Sequence, residues 1–204
     1  MAKRKKERKL NKEYVLEPCT RKHDYRILAC DPGTRNFGIA CIGVKNGKPD
    51  VIANAVLTNP MYELTSDVMR QRDLFSREVR QWFKLYDPDL VIAERFQTRG
   101  NGGPTIETVS LMLGLLGAFR RIPYKYVIAG QWKNAFNKRH AGGDREFLKG
   151  LYDECLTTPH QLDATLIGIY GLEYALQTQL NYKPHQIIEM VESTSRMDLR
   201  RPRK

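Results

Sequence analysis

Residues 27–40 hold the feature that most restricts what this chain can become. Ile27-Leu28-Ala29-Cys30 is a short apolar run that stops on Asp31, and Pro32-Gly33 follows before a second run opens at Phe37. A Pro-Gly pair between two such runs reads as a tight turn joining two strands. It leaves the Asp31 carboxylate at a strand end, next to backbone donors. Asn46-Gly47 marks a second turn, so strands are expected over residues 25–31, 36–44 and 50–57, as an antiparallel meander.

The rest of the chain alternates between helix and strand. Leu64, Val68, Leu74, Phe75, Val79, Trp82 and Phe83 recur near helical spacing, which predicts a helix over 63–86 that Asp87-Pro88 ends. Leu90-Val91-Ile92-Ala93 is wholly apolar, as in a buried parallel strand, and Glu94 closes it. Pro104 opens a helix expected to reach 121. Its Gly114 and Gly117 each weaken it by roughly 1 kcal/mol, which close approach of another helix can offset. A fifth strand is expected over 124–128, then helices over 143–156 and 159–178. That order implies an α/β domain whose sheet mixes antiparallel and parallel strands. Residues 25–180 form this domain. Residues 1–24 read as a basic arm, and 181–204 as a polar tail with a short helix at 185–193 and a basic end. A chain of 204 residues can bury one substantial core.

Charge narrows the partners. Lys and Arg number 34 against 23 Asp and Glu, a formal net charge of +11. An excess of that size is relieved by polyanions, nucleic acid first and anionic lipid second. No apolar run is long enough to span a bilayer, and no hydrophobic segment follows the N-terminal basic block, so no secretory signal is expected. Cys19, Cys30, Cys41 and Cys155 show no Cys-x-x-Cys spacing. They suggest a reducing compartment with neither a disulfide framework nor structural zinc.

Three acids stand out against this basic background. Taken singly each is ordinary: Asp31 as a turn former, Glu94 as an exposed strand end, Asp163 as a helix-start acid favoured by the dipole. Together they border apolar elements, where a carboxylate is costly without a partner or a metal. Thr158 suits an N-cap and Pro159 the first helical position. His160 and Asp163 are then three apart and share one helix face. Oxygen-rich sites of this kind suit hard divalent ions such as Mg²⁺. Two such ions, roughly 3.5–4 Å apart, can activate water and stabilise the leaving oxygen in phosphodiester hydrolysis. Arg35, Arg95, Arg99, Lys133, Lys138, Arg139 and Arg145 are candidate cations for the phosphate backbone.

These residues carry a resemblance. Asp31-Pro32-Gly33-Thr34-Arg35-Asn36-Phe37-Gly38, Val91-Ile92-Ala93-Glu94 and His160-Gln161-Leu162-Asp163-Ala164 resemble, in order, motifs of the RuvC-type Holliday junction resolvases of the RNase H-like superfamily. Ala129-Gly130-Gln131-Trp132-Lys133 is similar to the family's segment after its fifth strand, whose lysine contacts DNA phosphate. Arg145 falls at another basic position. Phe96 stands two residues after Glu94, where family members often place a junction-wedging aromatic three residues on. The basic arms exceed the family core, as in viral or phage-like relatives. The resemblance implies an RNase H-like mixed five-stranded sheet flanked by helices, and Asp31, Glu94, His160 and Asp163 as catalytic metal ligands. It implies two Mg²⁺ ions, with Mn²⁺ able to substitute. It further implies a homodimer, with the 104–121 helix as the candidate contact. The dimer nicks symmetry-related strands of a four-way DNA junction, leaving 5′-phosphate and 3′-hydroxyl ends. The location implied is the cytoplasm, with the nucleoid, or a host cytoplasm for a viral member.

Three other readings compete: a broader branched-DNA or flap nuclease, a nucleic-acid-binding module without catalysis, and a phosphate-handling ATPase or kinase. The last is suggested by Asp-x-Gly-Thr near a strand turn, but the chain has no second Asp-x-Gly.

Overall fold

A computed structural model describes residues 23, 25–33, 36–45, 48–58, 68–95, 114, 115, 118, 121–140, 146–176 and 183–195. Five strands form one sheet: β1 (Arg26–Asp31), β2 (Asn36–Lys45), β3 (Lys48–Thr58), β4 (Leu90–Glu94) and β5 (Tyr124–Val127), in the order β3-β2-β1-β4-β5. β1 pairs antiparallel with β2, and β2 with β3; β1 and β4 are parallel, as are β4 and β5. The expected mixed sheet is therefore present. The helices are α1 (Val68–Tyr86), α2 (Ala129–His140), α3 (Glu146–Glu154), α4 (Pro159–Leu176) and α5 (Pro184–Ser195).

Alternation along the strands divides the core in two. Leu28, Cys30, Val91 and Ala93 face one side, where Phe75, Val79 and Trp82 of α1 cover them. Ile27, Ala29, Ala40, Ile42 and Ile92 face the other, under α2, α3, α4 and α5. Asp31 and Glu94 share the parity of Ala29 and Ile92, so the pleat points both acids to the α4 side. Cys30 pairs with Ala93 across the parallel β1–β4 ladder, which makes Asp31 and Glu94 neighbours at the carboxyl ends of adjacent strands.

α4 lies across the strands that carry this register. Its sequence is apolar nearly all round, as expected of a helix enclosed by other elements. Close approach depends on glycine. A Cβ at Gly168 would stand 2.4 Å from Ile42 Cγ1, and one at Gly171 3.1 Å from Ile92. Gly114 likewise approaches α1: a Cβ there would meet Ser76 Oγ at 3.0 Å, and Ser76 Oγ donates to the Gly114 carbonyl. Residues 114, 115 and 118 are helical and Arg121 is already in a turn; the rest of the expected 104–121 helix lies outside the described residues. Just past α1, Asp87 sits in the left-handed region (φ 40°) and donates its N–H to the Phe83 carbonyl ahead of Pro88, a helix stop of the αL type.

Two elements differ from expectation. α2 falls where only a connecting segment was expected. Its first turn has no capping hydroxyl or carboxylate; instead the Gln131 side chain reaches back to accept from the Ile128 N–H at 3.0 Å. Burial of Trp132 and Phe136, one turn apart, then holds the helix to the core. α5 is part of the domain body: Ile187 and Val191 are fully buried, and Asn54 of β3 donates to the Val191 carbonyl. At the other end His23 packs its ring near Gly43 and bonds Asp50 at 3.0 Å, so the body reaches at least two residues before position 25. No described helix is long and apolar enough to cross a membrane.

Candidate metal centre and nucleic-acid interface

Asp31 is almost buried, at 8% exposure, and His160 Nδ1 lies 2.8 Å from its Oδ2. Gly38 makes that contact possible. It pairs with Asp31 across β1–β2, and a Cβ there would lie 2.0 Å from the His160 carbonyl oxygen. A side chain at position 38 would therefore lift the first turn of α4 off the sheet. That turn is capped as expected: Thr158 accepts from the Gln161 N–H through its hydroxyl, and Gln161 Oε1 accepts from the Thr158 N–H, a capping box. The bond to Asp31 raises the His160 pKa above the ordinary histidine value, against the opposing pull of burial.

The other two acids are held by aromatic donors. Trp132 Nε1 donates to Glu94 Oε2 at 2.7 Å. The Tyr152 hydroxyl of α3 donates to Asp163 Oδ1, and Lys133 Nζ is 3.7 Å from Asp163 Oδ2. Burial raises the Glu94 carboxyl above its ordinary range; the Trp132 bond opposes this, and the negative charge of Asp31 adds to it. Asp163 is raised to about 6, chiefly by burial, with Asp31 and Glu94 adding to the rise and Tyr152 and Lys133 opposing it. Burial and the Asp163 charge push the Tyr152 phenol far up, so it stays a donor.

The four expected acid and histidine positions thus converge at one end of the sheet and feel each other's charge. Among the described residues no three His, Cys, Asp or Glu side chains already stand as a ligating group; Asp31 and Glu94 instead each hold a protein partner on one oxygen, and Asp163 has Tyr152 on one and Lys133 near the other. The chemistry still fits a hard cation. The donors are carboxylate oxygens, and two of the carboxyls are raised by burial and mutual repulsion, a cost that a divalent ion removes. With Nδ1 on Asp31, a nitrogen ligand from His160 has to be Nε2.

Of the expected cations, Lys133 stands beside Asp163, and Arg95 and Lys138 are exposed. Arg95 directly follows Glu94, with its N–H on the Val127 carbonyl. Arg35, Phe96, Arg99 and Arg145 lie outside the described residues, as does the side chain of Arg139. Sequence reading missed Trp132, Tyr152 and Gly38 as parts of the site. Trp132 beside Lys133 was the available signal, since a buried indole needs an acceptor.

No protein-family model matches the chain. Over 116 residues it is 28% identical to the crossover junction endodeoxyribonuclease RuvC of Corynebacterium glutamicum, which is 55% of this chain and 51% of that protein. The chain thus matches about half the length of this curated relative. The structure of Thermus thermophilus RuvC superposes with a TM-score of 0.57 at 19% identity, covering 74% of this chain and 96% of that one. T. thermophilus RuvC in complex with Holliday junction substrate gives 0.57 and 19%, covering 75% and 96%. The chain therefore has the RuvC-type, RNase H-like fold, and is similar to RuvC in sequence over about half its length.

Proposed function

We propose that this protein is a metal-dependent endonuclease that resolves four-way DNA junctions as a homodimer. The observation that carries the reading is the placement of Asp31 and Glu94 at the carboxyl ends of adjacent parallel strands, with His160 and Asp163 brought over them by α4. The sequence likeness to RuvC supports it. Asp31, Glu94 and Asp163 would hold two Mg²⁺ ions, or Mn²⁺ in their place. When bound, the ions supply an activated water and charge stabilisation at the phosphate.

The chain's own residues do the rest. The three acids fix where the ions sit. Lys133 and Arg95 offset the negative field of the carboxylates, which otherwise repels a sugar-phosphate strand. His160, oriented by Asp31, keeps Nε2 for the scissile phosphate or its water and can carry a proton. Water oxygen bonds to phosphorus as the bond to the 3′ oxygen breaks, and that oxygen takes up a proton. The products are a 5′-phosphate and a 3′-hydroxyl. A twofold homodimer matches the symmetry of the junction, so two equivalent sites make paired nicks. Basic segments at both chain ends add phosphate contacts.

The test is cleavage of labelled four-way junction, flap and linear duplex with Mg²⁺. Symmetric nicks in the junction are expected, with linear duplex left intact. Asp31→Asn keeps junction binding and loses cleavage by on the order of a hundredfold or more. Cutting of all three substrates alike contradicts junction selectivity, and wild-type cutting by Asp31→Asn contradicts the site.

A further inference from the structure

Glu94 and Asp163 are each held by a neutral aromatic donor from a helix that supplies none of the four candidate ligands. Trp132 is fully buried on α2, and the only polar atom of its side chain, Nε1, donates to Glu94 Oε2 at 2.7 Å. Tyr152 on α3 donates its hydroxyl to Asp163 Oδ1. Lys133 Nζ lies 4.8 Å from the Trp132 ring centroid and 5.9 Å from that of Tyr152, within cation–π range of both.

A donor fixed on one carboxylate oxygen restrains the group's rotation and occupies that oxygen. The acid then meets an ion through its other oxygen, Oε1 of Glu94 and Oδ2 of Asp163, the latter also 3.7 Å from Lys133 Nζ, which an incoming ion has to displace. This suits Mg²⁺, which takes carboxylates singly and keeps several waters in a small octahedron. It suits Ca²⁺ less, because calcium takes six to eight oxygens and accepts both oxygens of one carboxylate. We propose that Trp132 and Tyr152 are positioning residues that hold Glu94 and Asp163 for one-oxygen coordination, and so favour a small octahedral divalent ion over calcium.

This inference rests on the metal-dependent reading above, and its test separates the two. Binding of Mn²⁺ to the full-length protein is measured by electron paramagnetic resonance of the unbound ion, without DNA, and Ca²⁺ is titrated as competitor. The proteins are wild type, Trp132→Phe and Tyr152→Phe. The last removes one oxygen atom from a side chain that keeps its shape, so it carries the test even where Trp132→Phe folds poorly. Expected is a loss of Mn²⁺ affinity of about 10-fold or more in each variant, the usual effect of removing a partner of a metal ligand. Calcium competition should strengthen relative to wild type. Junction cleavage should recover towards wild type at high Mn²⁺, with the junction KM unchanged. Wild-type affinities for both ions in Tyr152→Phe overturn the proposal. So does an equal loss for both ions, since general loosening of the fold gives that result. If wild type itself holds no Mn²⁺, the metal-dependent reading fails, and this inference with it.

Discussion

At the scale of single residues, Asp163 sets the pH behaviour of the site. Its carboxyl titrates at about 6 in the fold against 3.8 for the ordinary group, with burial the main cause. The fold therefore favours the protonated form. In the ion-free protein that contribution to stability is fully present below about pH 3.8 and is lost as pH rises through about 6. Asp163→Asn cannot ionise. In chelator at pH 8 it should be more stable than wild type by about 1–2 kcal/mol, the pKa shift set against the altered Tyr152 bond. The difference should shrink as pH falls past 6, and thermal melting across pH 4–8 checks it. Divalent-ion binding should strengthen over the same rise, because the ligand has to lose its proton. The acids were legible in the sequence because each interrupts or ends an apolar element. Their partners were not: Trp132 beside Lys133 signals a buried indole in need of an acceptor, but only the folding back of α2 and α3 brings the Trp132 and Tyr152 donors to Glu94 and Asp163.

At the scale of elements, α4 and α5 depend on specific contacts with the sheet. Gly38→Ala places a methyl where the His160 carbonyl now sits, at 2.0 Å. Overpacking of this kind costs about 1–3 kcal/mol, and here the displaced atoms belong to the turn that carries His160. Lower stability by chemical denaturation and a loss of cleavage larger than the stability change explains are expected together. Ile187→Ala tests the docking of α5. The residue is fully buried, so a loss of about 2–5 kcal/mol is expected. A solvated tail would lose almost nothing. The sequence showed the strands and α1 through plain alternation, helical recurrence and turn residues. It did not show α2, whose start Ile128-Ala129-Gly130 has no capping side chain and depends on Gln131 three residues on. The depth of α5 was also hidden, because the burial of Ile187 and Val191 depends on distant Asn54 and the sheet.

At the scale of the whole molecule, a basic chain delivers acids from β1, β4 and α4 to one end of a mixed sheet. The parallel register of β1 and β4 makes two of them neighbours, and glycine-dependent packing of α4 adds the rest. The mix of antiparallel and parallel strands followed from the sequence through the meander and the buried β4; the spatial order of the strands and the joint position of the acids needed the register and the approach of α4. Anomalous diffraction from crystals soaked in Mn²⁺ decides whether these carboxylates share an ion cluster. Two peaks are expected roughly 3.5–4 Å apart, each within coordination distance, about 2.1 Å, of carboxylate oxygens drawn from Asp31, Glu94 and Asp163. Peaks elsewhere, or none at this end of the sheet at saturating Mn²⁺, contradict the shared cluster.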